Sequence, residues 1–395
     1  VRVHHATTER TLLRLEQEQL VGTLVFAPKA DGVIAIGTRG AVTHWQVDNP
    51  HPEISLKALF GKVWYEGYNR PAYVWQSTGG TDAFEPKLSL VPLAIGTMKG
   101  TLYALLFAVP IAVLGALYTS QFSHPKVRAT VKPVVEIMAA LPSVVLGFLA
   151  GLWLAPMIED IVPAFLAALF VIPGLIFVAA IGFHSVPSRL RGTLTPAAEV
   201  VLLCVLVVVG FQLSLALNQP LEWLLFDGDF RAWMQASGWR FDQRNNIVVG
   251  FAMGFAVIPL IFTISEDALS NVPRRLVSAS LALGATRWQT ALHVVVPTAS
   301  PGIFSAIMIG LGRAVGETMI VLMATGNTPV LDWSIFTGMR TLSANIAVEI
   351  PEAPQGATLY RVLFLAALLL FLITFVANTA AEIVRLRLRK RYQEI

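Results

Sequence analysis

Charge is scarce in this 395-residue chain, since only 14% of its residues are charged, whereas soluble domains carry about 25%. Cysteine is nearly absent as well. Cys204 is the only one, and a single thiol excludes both a disulfide framework and a cysteine zinc cluster. Hydrophobic residues, by contrast, make up 55% of the chain. This composition excludes a disordered protein and a disulfide scaffold, and it predicts a polytopic membrane protein.

Two sequence patterns are also absent. The chain contains no G-x-x-x-x-G-K-[ST] run, so we expect it to cradle no ATP phosphates of its own. Its seven histidines are scattered without an H-x-x-x-H spacing, which predicts no metal site. The net charge of +4 does not indicate nucleic-acid binding, because in so apolar a chain a basic excess follows from the positive-inside rule. We therefore expect neither a bound cofactor nor a nucleic-acid partner.

Residues 1–87 are the polar part of the chain. The short β-rich runs between Gly22 and Val47 predict a three-stranded meander that resembles one blade of a β-propeller. A lone blade cannot bury its faces, so this is either the end of a larger domain or a small independent sheet. The chain begins at Val1 without methionine, and its first residues are too polar for a signal peptide. We expect the protein to continue upstream.

Residues 88–395 are predicted to form an all-α membrane domain of about seven helices. Each candidate span is close to the roughly 20 residues needed to cross the hydrocarbon core. The predicted spans are Leu90–Tyr118, Val131–Ile158, Ile161–Phe183, Ala197–Leu217, Asn246–Ile264, Pro301–Gly326 and Leu359–Ile383. The aromatic-rich loop Asn218–Asn245 is predicted to lie among the headgroups of the membrane lipids.

Basic residues occur mainly in one set of loops, and the positive-inside rule places those loops in the cytoplasm. They are Lys126, Arg128 and Lys132, then Arg189 and Arg191, then Arg274, Arg275 and Arg287, and finally Arg385, Arg387, Arg389, Lys390 and Arg391. The C-terminus is therefore expected to be cytoplasmic and residues 1–87 extracytoplasmic, with a further helix upstream. Lys99 and Glu199 lie near the ends of spans, where we expect their charged groups to snorkel towards the interface.

The loop 265–300, between the fifth and sixth spans, carries strong helix-end signals. Pro273 suits the first position of a helix, and Gly284 suits the left-handed position after its end. Thr286 and Gln289 have the spacing of a capping box for a second short helix. These signals predict a helix–turn–helix. Two prolines are expected to close it, Pro297 and Pro301.

The same loop resembles the "EAA" loop of bacterial ABC importer permeases. Gly284 is followed, after nine residues, by the apolar-x-apolar-proline run Val294, Val296 and Pro297. The resemblance implies a coupling helix that docks into a groove on a separate ATPase. Ser278 stands where the family has a glutamate, which weakens one polar contact expected there. The residues expected at the ATPase are Ala279, Leu281, Gly284, Ala285, Arg287 and Trp288.

Residues 280–288 and the run Gly310–Met319 resemble more specifically the phosphate importer permeases of the PstC type. The resemblance covers Leu88–Ile395 apart from an apparent inserted helix pair, Ile161–Leu217. It implies a type I ABC importer permease fold in the bacterial inner membrane. It also implies a second homologous permease, two copies of an ATPase that carries the ATP and magnesium, a periplasmic phosphate-binding protein, and inorganic phosphate as cargo.

Arg313 and Glu317 are predicted to line the path of the cargo. Four residues apart in an apolar span, they would share one helix face. An arginine at mid-membrane costs about 2.5–3.5 kcal/mol on insertion scales. Its planar fork suits phosphate oxygens, and a nearby carboxylate would help the site to release the anion. The resemblance associates both positions with phosphate translocation. The alternative is a buried pair that fixes helix register. Gly312 and Gly316 are predicted to permit close packing with a partner helix.

Two other functions remain open. One is the same machine for another oxyanion, sulfate or molybdate. The other is a secondary anion transporter or channel without an ATPase, against which the loop 265–300 argues. The roles of residues 1–87 and of the inserted helix pair also stay open.

Overall fold

The computed structural model describes residues 1–8, 10–16, 20–28, 31–49, 51–79, 84–185 and 196–393. The chain divides into two compact units. The first comprises Val1–Ile95 with Asn345–Leu369, and the second comprises Gly96–Ala344 with Leu370–Ile395. The predicted topogenic residues Arg189 and Arg191 and the side chain of Glu199 lie outside the described residues.

The first unit holds the β-structure. Its strands are β1 (Arg2–His4), β2 (Thr11–Arg14), β3 (Val21–Phe26), β4 (Gly32–Gly37), β5 (Val42–Gln46), β6 (Trp75–Gln76) and β7 (Lys87–Leu88). Strands β3, β4 and β5 form an antiparallel sheet in that order, so the predicted three-stranded meander is confirmed. The short helix α1 (Leu56–Phe60) begins after Ser55, whose hydroxyl caps the backbone N–H of Ala58.

The other regular elements of the described chain are helices. They are α2 (Val91–Gln121), α3 (Pro125–Ala139), α4 (Ser143–Asp160), α5 (Val162–Ser185), α6 (Pro196–Ala216), α7 (Asn218–Leu225), α8 (Phe230–Ala236), α9 (Asn246–Ser270), α10 (Arg274–Ala282), α11 (Arg287–Gly316), α12 (Met319–Ala324), α13 (Leu342–Glu349) and α14 (Thr358–Gln393). Within α4 and α11 the segments Ala150–Leu154 and Ala291–Val295 are π-helical.

Among the described residues, six helices are long and apolar enough to cross a membrane, and a seventh span is present if one bent helix pair counts as one. The six lie in α2, α4, α5, α9, α11 and α14, and the bent pair is Val201–Ala216 with Asn218–Ala236. The predicted all-α multi-pass fold with a small β-rich N-terminal part is confirmed.

The second predicted span, Val131–Ile158, is wrong because it joins two separate helices. The helix α3 ends at Ala139, and α4 begins after Pro142. A proline disfavours helical backbone at the residue before it, and Leu141 is that residue. The apolar stretch long enough to span is Ser143–Asp160.

The sixth predicted span, Pro301–Gly326, is wrong at both ends. The helix α11 starts at Arg287 and passes through Pro301 without a break. Proline has no N–H to offer the carbonyl four residues earlier, and here the Ser300 hydroxyl donates to that Pro297 carbonyl at 2.8 Å. At the other end α11 stops at Gly316, and Glu317 has extended backbone.

The helices of the second unit pack closely where glycine exposes the backbone. Gly147 and Gly151, one turn apart on α4, lie against the backbone of Met319 and Met323 on α12, where a Cβ would clash. The inserted pair α5 and α6 differs, because its members are apolar all round and keep large side chains exposed. Such a helix pair suits contact with lipid. Examples are Leu169, Phe170, Phe177, Val201 and Val208.

Candidate translocation site and coupling surface

The segment 271–290 forms the helix–turn–helix predicted from its capping residues. After α10 the chain reverses through Gly284, whose φ of +90° is the left-handed conformation that favours glycine. The Thr286 hydroxyl accepts from the Gln289 N–H at 3.2 Å, and the Gln289 side chain accepts from the Thr286 N–H at 2.8 Å. The predicted glycine turn and capping box are confirmed. Pro273 is the capping residue before α10, one position earlier than predicted.

Five of the six residues predicted to contact an ATPase are exposed on this segment, and Ala285 is half-buried. Two large apolar side chains are exposed on this segment: Leu283 is 90% exposed and Trp288 is 55% exposed. Such groups, on a segment that also exposes Arg274 and Arg275, are typical of a protein contact surface. Sequence reasoning missed Leu283, although an apolar residue directly before a left-handed glycine was a usable signal. The five are Ala279, Leu281, Gly284, Arg287 and Trp288.

The segment 271–290, called the coupling segment after its predicted role, is held by one ring contact to a neighbouring helix and by one contact between its own two helices. The Trp288 ring lies 5.9 Å from that of Phe122, at the end of α2. The hydroxyls of Ser280 and Thr290 are 2.9 Å apart and join the two short helices to each other. The Trp288–Phe122 contact thus joins this segment to the residue that follows α2.

A buried carboxylate ties α3 to the end of α9, next to the coupling segment. The Glu266 side chain is 3% exposed and lies 2.5 Å from the Arg128 guanidinium. Ser270 donates to Glu266 at 2.8 Å and accepts from Arg128 at 2.7 Å. Lys132 pairs with the neighbouring Asp267 at 3.1 Å. The sequence had identified Arg128 and Lys132 only as loop charges that set orientation.

Arg313 and Glu317 do not share a helix face, so that prediction was wrong. Arg313 lies in the last turn of α11, whereas Glu317 has φ −66° and ψ 127° and lies outside the helix. The Glu317 carboxylate accepts from the Ile320 N–H at 3.4 Å, and its carbonyl accepts from the Ser343 hydroxyl at 3.0 Å. No ion pair among the described residues joins Arg313 to Glu317. Arg313 is exposed and has no protein partner in the described part of the chain.

The two glycines beside these residues have different surroundings. A Cβ on Gly312 would lie 3.7 Å from the Asn378 side-chain oxygen on α14, whereas a Cβ on Gly316 would meet no described atom within 4 Å. Gly312 therefore packs within this chain. The packing of Gly316 against a partner helix stays a prediction.

Lys99 does not snorkel, contrary to the prediction. Its side chain is 1% exposed, and its Nζ lies 2.7 Å from an Asp332 oxygen and 3.1 Å from the Thr337 hydroxyl. The Thr337 hydroxyl in turn donates to Asp332 at 2.6 Å. The irregular segment 325–341 folds over this part of α2 and supplies the countercharge.

This irregular segment is itself held by hydrogen bonds from Asn246 and Asp242. The Asn246 N–H donates to the carbonyls of Ile335 and Thr337, and its side-chain amide donates to the carbonyl of Ser334 at 2.9 Å. The Asp242 carboxylate accepts from the Gly338 N–H at 2.8 Å. These bonds satisfy backbone groups that lie outside any helix or strand. Within the described residues, no group of three or more histidine, cysteine, aspartate or glutamate side chains could hold a metal.

Comparison with known proteins gives a consistent result. Residues 108–390 match the family described as "Binding-protein-dependent transport system inner membrane component". The phosphate transport system permease protein PstC of Xylella fastidiosa (strain 9a5c) is 27% identical over 304 residues, covering 77% of this chain and 75% of the relative. The probable ABC transporter permease protein YqgH of Bacillus subtilis (strain 168) is 26% identical over 291 residues, covering 74% and 70%. A solved bacterial ABC transporter involved in alginate import is 16% identical with a TM-score of 0.43, covering 75% of this chain and 79% of that one.

Proposed function

Since this chain belongs to the binding-protein-dependent transport inner-membrane family, and is thus a transmembrane permease subunit of an ABC importer in the inner membrane, we propose that its cargo is inorganic phosphate. The family implies a partner permease and a separate ATPase. The observation that carries the proposal is Arg313: an exposed guanidinium at the end of an apolar helix, with no described protein partner. The PstC relative supports phosphate as the anion.

The proposed orientation follows from the basic loops. Residues 1–87 lie outside the cytoplasm, while the C-terminus and the segment 271–290 lie inside it. A phosphate-binding protein delivers the anion from the outer side. ATP and magnesium bind the partner ATPase dimer, and this chain contributes no catalytic group and binds no cofactor.

In this mechanism the segment 271–290 responds to the ATPase, and Arg313 with Glu317 handles the anion. Closure of the ATPases moves the exposed surface around Leu283 and Trp288, and the Trp288–Phe122 contact passes the movement to α2. Arg313 offers charge-assisted hydrogen bonds to phosphate oxygens through its planar fork. Glu317, four residues on but outside the helix, keeps the local field from trapping the anion, since a pore must bind weakly enough to release its cargo.

The test is phosphate uptake by proteoliposomes that contain the complete transporter. Arg313→Gln should abolish uptake while the complex still assembles, because the variant retains a polar side chain but loses the charge. Arg361→Gln, an exposed arginine near the start of α14, is the matched control and should transport normally. Wild-type uptake by Arg313→Gln would remove Arg313 from the path.

Competition identifies the anion in the same assay. Excess sulfate or molybdate should leave phosphate uptake unchanged, and either one acting as the preferred substrate would replace phosphate in the proposal. Uptake that persists when the ATPase subunits are omitted would favour a secondary transporter or channel.

A further inference from the structure

A groove separates α11 from α14 in the second unit. It encloses about 410 Å³, which is room for a hydrated inorganic anion. Apolar side chains make up part of its wall, and four polar residues also line it. Polar residues are unexpected here, because both helices belong to candidate membrane spans. The lining residues are Phe304, Ser305, Met308, Ile309 and Gly312 from α11, and Asn378, Ala381, Glu382 and Arg385 from α14.

Asn378 is the most informative of these residues. Between Arg361 and Glu382 the helix α14 carries no charged residue, and an amide in such a stretch is costly unless it finds a polar partner. Its side-chain oxygen lies 3.7 Å from the Cβ position of Gly312. The side chain makes no hydrogen bond to any residue that the structure describes. Its amide therefore has unused hydrogen-bonding capacity where it lines the groove.

The two ends of the groove have similar chemistry. Ile309 lines the groove, and Arg313 follows it by four residues, so Arg313 lies on the flank of the same helix face. At the other end, Arg385 donates to Glu382 at 2.8 Å. One carboxylate oxygen cannot occupy all five N–H donors of a guanidinium, so Arg385 retains donors for an anion. An arginine thus stands at each end: Arg313 follows Gly312, which Asn378 faces, and Arg385, paired with Glu382, lies two helical turns further along α14.

We propose that this groove is the inward half of the oxyanion path, in which an anion leaving Arg313 passes to the Asn378 amide and then to Arg385. The inference rests on the proposed function and adds α14 to the path. Glu382 competes with the anion for Arg385, which shortens the stay of the anion at the exit, as conduction requires.

A phospholipid headgroup carries the same phosphate chemistry. The depth of the polar residues favours the transported anion. Asn378 precedes Arg385 by seven residues, about 10 Å along a helix at 1.5 Å per residue, and it lies deeper in the apolar part of α14. A headgroup phosphate held at Arg385 would leave Asn378 without a partner, whereas a moving anion meets both.

The first test uses the reconstituted complete transporter. Asn378→Leu and Arg385→Gln should each lower the maximal rate of uptake about tenfold, the effect of losing one hydrogen bond to a charged group. ATP hydrolysis stimulated by the binding protein should persist, because the coupling surface is untouched. Arg387→Gln, exposed on the same helix but outside the groove, is the control and should be unaffected. Unchanged uptake in both groove variants would overturn the proposal.

The second test separates the two sources of phosphate. In a Cys204→Ser background, Ser305→Cys should react with a sulfonated thiol reagent in inside-out vesicles, and inorganic phosphate should slow the reaction. Phe375→Cys on exposed α14 surface is the control and should not react. Protection by anionic lipid and not by inorganic phosphate would make the groove a lipid site and overturn the inference.

A wild-type transporter that imports another oxyanion would refute only the phosphate proposal, since the same variants then test the groove with that anion.

Discussion

Two cations in the membrane helices have opposite surroundings. Lys99 on α2 is 1% exposed and has both a carboxylate and a hydroxyl within hydrogen-bonding distance. Arg313 on α11 is exposed and has no described protein partner. A cation that holds its counterion stabilises the fold. A cation without one is available to a ligand, and a substitution there should change transport and not stability.

The largest effect is expected from Lys99→Met. It leaves Asp332, whose side chain is 29% exposed, without its countercharge; breaking a fully buried pair costs about 3–5 kcal/mol, so the loss here should lie near the lower end of that range. Thermal unfolding of the purified protein in detergent should show a markedly lower Tm. Lys126→Met, an exposed lysine at the start of α3, is the control. The double variant Lys99→Met with Asp332→Leu should recover much of the loss, and an unchanged Tm in the single variant would refute the structural role.

Glu266→Gln is expected to have the next largest effect. The amide keeps the shape of the side chain but loses the charge that faces Arg128, and a hydrogen bond to a charged group contributes about 1.5–3 kcal/mol. The same unfolding assay should detect this loss. Asp267→Asn is the matched control, since that side chain is 54% exposed and an exposed pair contributes little. Equal effects in the two variants would show that the burial of Glu266 is irrelevant.

Arg313→Lys tests whether the cation without a protein partner serves transport and not stability. Stability should change by no more than about 0.5 kcal/mol, as for an ordinary surface substitution. Uptake should nevertheless fall, because an ammonium cannot present the planar fork of a guanidinium. Unfolding and uptake are measured on one preparation. A large drop in Tm would mean that Arg313 has a structural partner after all.

The smallest effect concerns Tyr65, a buried phenol of the first unit that lies beside Lys87. Burial, followed by the negative charge of Glu85, raises the pKa of Tyr65 from 10.0 to about 12. The folded state thus favours the neutral phenol. This contribution to stability is complete below pH 10 and is lost as the pH rises towards about 12. Ultraviolet titration should show late-ionising tyrosine absorbance that Tyr65→Phe lowers by the amount of one residue, and an identical titration in the variant would contradict the assignment.

The sequence predicted best those features that depend on near neighbours. The capping box of Thr286 and Gln289 and the turn at Gly284 involve groups within a few residues of one another, so their spacing was sufficient. The burial of Lys99 was not predictable in this way, because its partner Asp332 is 233 residues away. The end of α11 at Gly316 was missed for a similar reason: the Ser343 hydroxyl that binds the Glu317 carbonyl comes 26 residues later.

The candidate site was predicted in its residue types but not in its geometry. Hydropathy identified Arg313 and Glu317 as unusual in an apolar stretch, and it could not show that the backbone leaves the helix between them. Asn378 escaped notice because it carries no charge, and a single neutral amide in a span does not by itself indicate a functional site. Its position opposite Gly312 becomes visible only when α11 and α14 are brought together.

The π-helical turn at Ala291–Val295 determines the direction in which every later side chain of α11 points around the helix axis. Such a turn holds one residue more than an α-helical turn, so each later side chain stands about 100° around the axis from where an unbroken α-helix would place it. Trp288 lies before the turn and Arg313 after it. If that turn became α-helical with its length unchanged, Arg313 would rotate by about 100° relative to Trp288, whereas deleting the extra residue, for example Leu292, would leave their relative orientation unchanged. The angular phase between the coupling surface and the anion path is thus encoded in a single turn.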